Sequence, residues 1–242
     1  MLPVACLLAT LGLLQAAVGE PVPAAEGPFA RIVVIQPKPG QHQAFEDGYR
    51  RHLGWHRDKG DPWTWLGWSF VMGERLGLFM DGTFGHAAEN FDHPVDPAGD
   101  AADNAVNVIP AADFLSHALY ERVDSISSST ALPDTTPFMA MTTYRIQPGM
   151  GPFFEEAVAR VRRPGREEPQ YAWYRLVLGG SPPEYLLFRP APTMAAAADL
   201  GDFFTVEGPD GMRPGDAPGP AGLILEARSE LLRYRQDMSY LP

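Results

Sequence analysis

Cysteine is almost absent from this chain of 242 residues, and its one cysteine, Cys6, lies close to the N-terminus. The sequence therefore offers no disulfide framework, no thiolate zinc site and no iron–sulfur cluster. Clusters of basic residues are also scarce, and the main one is Arg160-Val161-Arg162-Arg163. With a net charge of −11, the chain lacks the basic surface that a nucleic-acid partner requires.

Several signatures of common enzyme classes are missing as well. The sequence contains no G-x-S-x-G, no G-x-x-x-x-G-K-[ST], no H-E-x-x-H, and no G-x-G-x-x-G after a strand. Each of these patterns positions a nucleophile, a phosphate or a zinc ion by a known local geometry. Their absence argues against a serine hydrolase, a nucleotide-dependent enzyme and a metalloprotease of the zincin type.

The first 19 residues predict a secretory signal peptide. Met1 to Val18 is apolar, and Ala17-Val18-Gly19 has the small-x-small spacing of a cleavage site. The run is shorter than the ~20 residues that comfortably span a bilayer, so we expect cleavage rather than a retained anchor. These features predict export to the periplasm or the cell exterior, without stable membrane insertion after cleavage. A Pro- and Ala-rich linker, residues 20–27, follows.

The rest of the sequence contains an internal repeat at an offset of 109 residues. In each copy, Pro-Phe precedes an apolar run, Pro-Gly interrupts it, and Phe with an acidic residue follows. The repeat predicts two domains, residues 28–133 and 134–242. The paired segments are Pro28-Phe29 with Pro137-Phe138, Pro39-Gly40 with Pro148-Gly149, Phe45-Glu46 with Phe154-Glu155, Leu78-Phe79 with Leu187-Phe188, and Glu121 with Glu230.

Hydrophobic patterning predicts the same order of elements in both copies. In the first copy we expect strands at Ile32 to Ile35, Trp63 to Met72, Leu76 to Met80 and Leu119 to Asp124, helices at Gln41 to Arg57 and Phe84 to Phe91, a loop at His93 to Asn104 and a helical turn at Ala111 to Ser116. In the second copy we expect strands at Met139 to Ile146, Tyr171 to Leu178, Tyr185 to Arg189 and Leu223 to Arg235, and helices at Pro152 to Arg163 and Thr193 to Leu200.

Each copy therefore has the order β-α-β-β-α-β of a ferredoxin-like unit. Together with the strand-Pro-Gly-helix opening and the duplication, this order resembles the dimeric α+β barrel superfamily, which includes antibiotic-biosynthesis monooxygenase-like and NIPSNAP-like proteins. The resemblance implies an α+β fold in which two tandem ferredoxin-like units pack sheet to sheet as an intrachain barrel. The superfamily holds cofactor-independent oxygenases, haem enzymes and proteins without known chemistry, so the fold does not select a function.

The histidines are distributed unevenly, because all six lie in the first copy: His42, His52, His56, His86, His93 and His117. His52 and His56 are four residues apart and share one helix face. They are candidates for a general base or a metal-ligand pair, with a pair of boundary histidines satisfied by backbone or water as the alternative. Because no Asp or Glu joins them at helical spacing, we predict neither a metal ion nor another cofactor.

The first copy contains further candidate residues. His86 follows Asp81-Gly82-Thr83-Phe84-Gly85 and is a third candidate acid or base, although a plain turn capped by Thr83 explains the same pattern. Tyr49, Trp63, Trp65 and Trp68 are candidate ligand-binding residues, with core packing as the alternative. Asp61 is predicted to be a turn residue, and the carboxylates of Asp92, Asp96, Asp100 and Asp103 are predicted to lie in a solvated loop.

The favoured function is therefore binding of a small apolar or aromatic molecule in a pocket of the first copy. One alternative is a cofactor-independent monooxygenase-like or isomerase-like enzyme that uses these histidines. Another is a histidine-ligated metal or haem protein, although the haem members of the resembling group carry their axial ligand in the C-terminal half, where this chain has no histidine. We expect a small-molecule partner, no nucleic acid, and a monomer or homodimer. Whether the protein is an enzyme stays open at this point.

Overall fold

The computed structural model describes residues 27–131, 133–161, 170–204 and 219–242. The predicted signal peptide and almost all of the predicted linker lie outside these residues. No helix in this part of the chain has the length and apolar character that a membrane span requires.

Eight strands and four α-helices make up the described fold. The first half contains β1 (Phe29–Pro37), α1 (His42–Lys59), β2 (Leu66–Met72), β3 (Phe79–His86), α2 (Pro97–Asn107) and β4 (Ala112–Arg122). The second half contains β5 (Phe138–Ile146), α3 (Gly151–Val161), β6 (Ala172–Leu178), β7 (Glu184–Ala191), α4 (Met194–Ala198) and β8 (Ile224–Tyr234). Short 3-10 helices lie at Ala88–Asp92, Asp124–Ile126, Pro220–Leu223 and Gln236–Met238.

The strands form one closed antiparallel barrel in the order β1-β3-β2-β8-β5-β7-β6-β4. The four strands of each half have the same order, β4-β1-β3-β2 and β8-β5-β7-β6. The last strand of each half pairs with the second strand of the other, β8 with β2 and β4 with β6. The fold is thus an α+β barrel whose two sheets are joined by hydrogen bonds at both edges, which leaves no open sheet edge.

Three hydrophobic clusters fill the molecule. The barrel interior holds residues such as Trp68, Phe70 and Phe188. A second cluster lies between α1 and the outer face of the first sheet, and a third lies between α3 and the second sheet. Alternate residues of β1 enter the first two clusters, Ile32 and Val34 inside and Val33 and Ile35 outside. This confirms that the β-branched run forms a strand buried on both faces.

The second helix of the first half is the main correction to the sequence prediction. β3 extends to His86, so no α-helix covers Phe84 to Phe91, and α2 occupies most of the predicted loop. Pro97 and Gly99 in the first turn of α2 are typical of loops, and no residue of this helix is buried in the core. The predicted helical turn at Ala111 to Ser116 is also wrong, because these residues belong mostly to β4.

The repeat offset holds for β1 with β5 but changes further along the chain. Val33 on β1 pairs with Asp81, whereas Thr142, the matching residue on β5, pairs with Leu187. Leu187 therefore occupies the place of Asp81, and the predicted match of Leu78-Phe79 with Leu187-Phe188 is wrong. The match of Glu121 with Glu230 fails similarly, because Phe29 pairs with Glu121 while Phe138 pairs with Arg233. The connections between elements differ in length between the two halves, and this changes the offset between matching residues.

Helix α1 packs closely against α2, and a glycine permits the contact. A Cβ atom on Gly48 would lie 1.8 Å from the backbone oxygen of Asn107 at the end of α2. Polar side chains then join the two helices: Arg51 donates to the Asn107 side chain at 2.8 Å, and Lys59 donates to Asp96 at 2.8 Å. This approach positions the side chains of α1 against those of α2.

Replacement of Gly48 by alanine should destabilise the protein by about 1–3 kcal/mol, because the new methyl group forces α1 away from backbone atoms of α2. Gly54 is a matched control in the same helix, since a Cβ there meets nothing within 4 Å. Gly54→Ala should stabilise the protein by about 0.5–1 kcal/mol through helix propensity. Urea denaturation of both variants measures the contrast, and equal shifts of the same sign would contradict the packing described.

Candidate functional site

A cavity of about 290 Å³ lies between α1, α2 and the outer face of the first sheet. Its walls combine aromatic rings with a high density of ionisable and polar side chains. Such a lining is typical of ligand sites and is uncommon in a purely structural cavity. The lining residues are Arg31, Val33, Tyr49, His52, His56, Trp65, Asp81, Asp100, Ala101, Asn104, Ile109, Phe114 and His117.

The end of α1 holds His56 against Asp61. Gly60 adopts a left-handed conformation and ends the helix, and the Asp61 amide donates to the His56 carbonyl. The chain thereby turns back so that His56 Nδ1 lies 2.6 Å from Asp61 Oδ2. Trp65 Nε1 also donates to Oδ2, at 3.0 Å, and the Trp63 amide donates to Oδ1, at 2.9 Å. Burial alone would raise the pKa of Asp61, but these hydrogen bonds outweigh it and lower the pKa.

His52 has an equivalent carboxylate partner on α2. Its Nδ1 lies 2.8 Å from Asp103 Oδ2, while Asp103 Oδ1 accepts from the Asn107 side chain at 3.0 Å. Burial lowers the pKa of His52 and opposes the raising effect of the Asp103 hydrogen bond. Both imidazoles are therefore held at Nδ1 by carboxylates, and each carboxylate is fixed by further hydrogen bonds.

The opposite nitrogens of the two rings meet at one point. His52 Nε2 and His56 Nε2 are 3.2 Å apart, and Asp100 Oδ1 lies 3.3 Å from the first and 3.9 Å from the second. Because each Nδ1 donates to a carboxylate, each Nε2 of a neutral imidazole is an acceptor. Three acceptor atoms thus converge, and the amide of Asn104 is the donor beside them, 3.1 Å from both His52 Nε2 and Asp100 Oδ1.

This arrangement fits a metal ion. Three atoms at these separations surround a point about 2 Å from each, and metal–nitrogen and metal–oxygen bonds are about 2.0–2.2 Å long. Metal-bound histidines also characteristically donate their second ring N–H to a carboxylate, which fixes the tautomer and the ring orientation. Among the described residues, His52, His56 and Asp100 form a group of donor atoms close enough to share one ion.

Other polar groups of the cavity lie on the sheet. Asp81 on β3 is 7% exposed, its Oδ2 accepts from the Tyr49 hydroxyl at 2.8 Å, and its Oδ1 has no hydrogen-bond partner in the described residues. Burial raises the pKa of Asp81 to about 6, against the lowering effects of Tyr49, Arg31 and His56. Arg31 on β1 lies over the Trp65 ring at 5.5 Å, with Nη2 3.4 Å from His117 Nδ1.

The second half shows that the fold does not need these polar groups. Leu187 takes the place of Asp81, and Val158 on α3 takes the place of Tyr49 on α1, as the strand pairing and the repeat offset indicate. Both are fully buried in an apolar layer that also contains Phe154 and Trp173. Buried polar groups cost stability unless they are well paired, so the polar layer of the first half indicates a functional role.

The structure brings together four of the seven candidate residues predicted from the sequence. Tyr49, His52, His56 and Trp65 all line the cavity. The other three, Trp63, Trp68 and His86, do not line it. His86 packs against Trp63 and Phe91, with ring centroids 4.6 and 5.2 Å away, and Trp68 lies inside the barrel.

Sequence reasoning missed the carboxylates of the site. Asp61 was predicted to be a turn residue, yet it is buried against His56. Asp100 and Asp103 were predicted to be solvated, yet both reach His52 from α2. The prediction of no metal ion considers acidic residues of α1 alone, whereas the structure places Asp100 of α2 beside both histidines. The spacing of Asp100, Asp103, Asn104 and Asn107 along one helix face was the available signal.

Comparison with known proteins identifies the fold and no family. No protein-family model matches the chain, and no curated protein sequence matches it. Among solved structures, the chain is similar to a provisionally assigned monooxygenase from Fusobacterium nucleatum, at 13% identity and a TM-score of 0.53 over 88% of this chain and 94% of that one. It is also similar to the encapsulated DyP-type peroxidase from Mycobacterium smegmatis, at 11% identity and a TM-score of 0.51 over 93% and 100% of the chains.

A third similar structure is a chlorite dismutase from Candidatus Nitrospira defluvii, at 7% identity and a TM-score of 0.51 over 88% and 92% of the chains. At such low identities the similarity shows a shared α+β barrel and nothing of the chemistry. The function of this chain must therefore be argued from its own side chains.

Asp81 should make stability depend on pH. Burial raises the pKa of Asp81 from 3.8 to about 6 on folding, so the folded state binds its proton more tightly. The protonated carboxyl stabilises the fold fully below pH about 4, and this contribution is lost as the pH rises through about 6. Asp81→Asn should remove up to about 3 kcal/mol of this pH dependence, measured by urea denaturation from pH 4 to 8 with a chelator present.

Asp58 provides the control for this experiment, because it lies on the exposed face of the same helix as Tyr49. Asp58→Asn should give a stability profile parallel to that of the unmodified protein. If Asp81→Asn also gave a parallel profile, Asp81 would not be the buried carboxyl described here.

Proposed function

We propose that this chain is a metal-dependent enzyme, with a divalent metal ion bound by His52, His56 and Asp100 and a small-molecule substrate in the adjoining cavity. The observation that carries the proposal is the convergence of three acceptor atoms, two of them on imidazoles that carboxylates hold at the opposite nitrogen. Such a group is electrostatically unfavourable unless a cation or a shared proton lies at its centre, because the Asn104 amide donates to only two of the three atoms.

The number of ligands favours a catalytic ion over a structural one. Structural zinc sites are closed by four protein ligands, whereas catalytic sites use three and leave a position for water or substrate. Here three side chains meet, and all three also line the cavity. An ion held by these residues would therefore border the space that a substrate would occupy. An ion there would act as a Lewis acid on a substrate oxygen or on a bound water molecule.

The ligand atoms also indicate the class of ion. Two imidazole nitrogens and one carboxylate oxygen suit Zn²⁺, Fe²⁺, Mn²⁺, Co²⁺ or Ni²⁺. Ca²⁺ and Mg²⁺ prefer sites made of oxygen atoms alone. We therefore propose a first-row transition metal.

A cofactor-independent acid–base enzyme is the second candidate, and one observation favours it. A proton shared between His52 Nε2 and His56 Nε2, which are 3.2 Å apart, would relieve the same repulsion. His56 backed by Asp61 would then be the base. Removal of metal distinguishes the two candidates, because only the metal-dependent enzyme loses its chemistry with the ion.

The other functions predicted from the sequence receive less support. The cavity lining contains Arg31, Asp81 and His117, so a polar ligand suits it better than the small apolar molecule expected from the tryptophans. A haem iron needs an imidazole nitrogen directed at open space, whereas each Nε2 here faces the other and a carboxylate.

Three further proposals concern the duplication, the location and the assembly of the chain. Tandem duplication of a ferredoxin-like unit explains why both halves have the same strand order and why β1 and β5 share one burial pattern. Export is proposed from residues 1–19, and a monomer or homodimer is proposed because the barrel closes within one chain.

The first test is metal binding by the chelator-treated full-length protein. Titration with Zn²⁺ and Co²⁺, followed by calorimetry and visible absorption, should show one site per chain. His56→Ala and Asp100→Ala should each weaken binding more than about 100-fold, because each removes a ligand. His93→Ala is the matched control, since this histidine is exposed and outside the cavity. Circular dichroism checks that each variant folds. Binding that is absent, or unchanged in both ligand variants, would overturn the proposal.

The carboxylates behind the imidazoles should affect the metal indirectly. Asp61→Asn and Asp103→Asn each weaken the acceptor that orients one ring, and loss of such a partner typically lowers metal affinity by about 10–100-fold. Binding should therefore weaken without being lost. Equal affinity in these variants and in the unmodified protein would show that the rings need no such orientation.

A further inference from the structure

We infer that the substrate of this site is a small hydroxycarboxylate, whose carboxylate binds Arg31 and whose hydroxyl group donates to Asp81 Oδ1. The inference rests on the proposed function, since it names the class of molecule that the metal site would act on. Two groups in the cavity, on two different strands, carry the argument. Among the described residues, Arg31 forms no salt bridge and Asp81 Oδ1 accepts no hydrogen bond.

Arg31 is close enough to Asp81 to lower the pKa of that carboxyl, but it forms no salt bridge with it. Among the described residues it forms no ion pair with Asp or Glu, although the chain is strongly acidic. Its guanidinium lies over the Trp65 ring and also contacts His117 Nδ1. The contact with His117 uses one of the five N–H groups of the guanidinium. The remaining donors match the two oxygens of a carboxylate, the group that arginine binds most specifically.

Asp81 has one oxygen satisfied and one that is not. Tyr49 donates to Oδ2, whereas Oδ1 is buried and has no hydrogen-bond partner in the described part of the chain. A buried polar atom of this kind costs free energy until a partner arrives. Because the residue lines the cavity, a hydroxyl group of a bound molecule can supply that partner.

Trp65 lies next to both Arg31 and the proposed metal ligand His56. The Arg31 guanidinium lies 5.5 Å from the Trp65 ring centre, and the His56 ring centre lies 5.2 Å from it. The two groups can be no further apart than the sum of these distances, so one small molecule can reach both. The cavity of about 290 Å³ is near the lower end of the range for ligand sites, which agrees with a small substrate.

A matched set of ligands tests each group of the substrate separately. Mandelate carries both the carboxylate and the hydroxyl, phenylacetate lacks the hydroxyl, and mandelamide lacks the charge. Lactate and malate extend the set to smaller and more acidic members. Affinities are measured by calorimetry on the Zn²⁺-loaded full-length protein, with the bound zinc quantified in every sample. Mandelate or a smaller hydroxycarboxylate should bind at least about tenfold more tightly than the analogue that lacks either group.

Variants then test which residue binds the carboxylate of the ligand and which binds its hydroxyl group. Arg31→Met keeps the apolar stem over Trp65 and should weaken hydroxycarboxylate binding at least about tenfold, with amide binding and zinc content unchanged. Arg31→Lys should restore part of the loss. Asp81→Asn should reduce the preference for the hydroxyl-bearing ligand. Arg145→Met, an exposed position of the second half, is the control and should change nothing.

The outcomes separate this inference from the proposed function. Normal zinc content with no binding of any hydroxycarboxylate, or with binding insensitive to Arg31→Met, would overturn the inference and leave the metal site intact. Absence of zinc together with Arg31-dependent carboxylate binding would support the anion subsite and overturn the metal proposal.

Discussion

The site depends on the meeting of His52 Nε2, His56 Nε2 and Asp100 Oδ1 within a few ångströms. Each imidazole already donates its Nδ1 proton to a carboxylate, so lone pairs converge where a cation is needed. The surrounding structure enforces this geometry: the helix end at Gly60 returns Asp61 to His56, and α2 brings Asp103 to His52. A polar arrangement this well supported in a buried layer is difficult to explain by folding alone.

The second half of the barrel provides an internal comparison. Beneath α3 it has Leu187 where the first half has Asp81 and Val158 where the first half has Tyr49. The same architecture is therefore stable with hydrophobic packing at these positions. Polar residues in the first half replace that packing at a cost in stability.

The contact between α1 and α2 has an unusual character for two packed helices. α2 buries no residue, and its connections to α1 are hydrogen bonds and ion pairs of Arg51, Lys59 and His52. Gly48 lets the helix backbones approach closely, so that these polar side chains reach their partners on α2. Helices joined in this way can shift more readily than helices with an interlocked apolar core. The carboxylates that complete the site are thus carried by the less firmly packed of the two helices.

The sequence by itself determined the barrel class, the strand β1, the helix α1 and the pairing of His52 with His56 on one helix face. These features follow from local periodicity and from repetition along the chain, which need no knowledge of distant contacts. Only the tertiary structure decided which carboxylates join the histidines. Asp100 and Asp103 lie on a helix that buries no residue, and Arg31 and Asp81 come from separate strands. Their convergence is set by strand register and helix packing, and these depend on contacts between residues far apart in sequence.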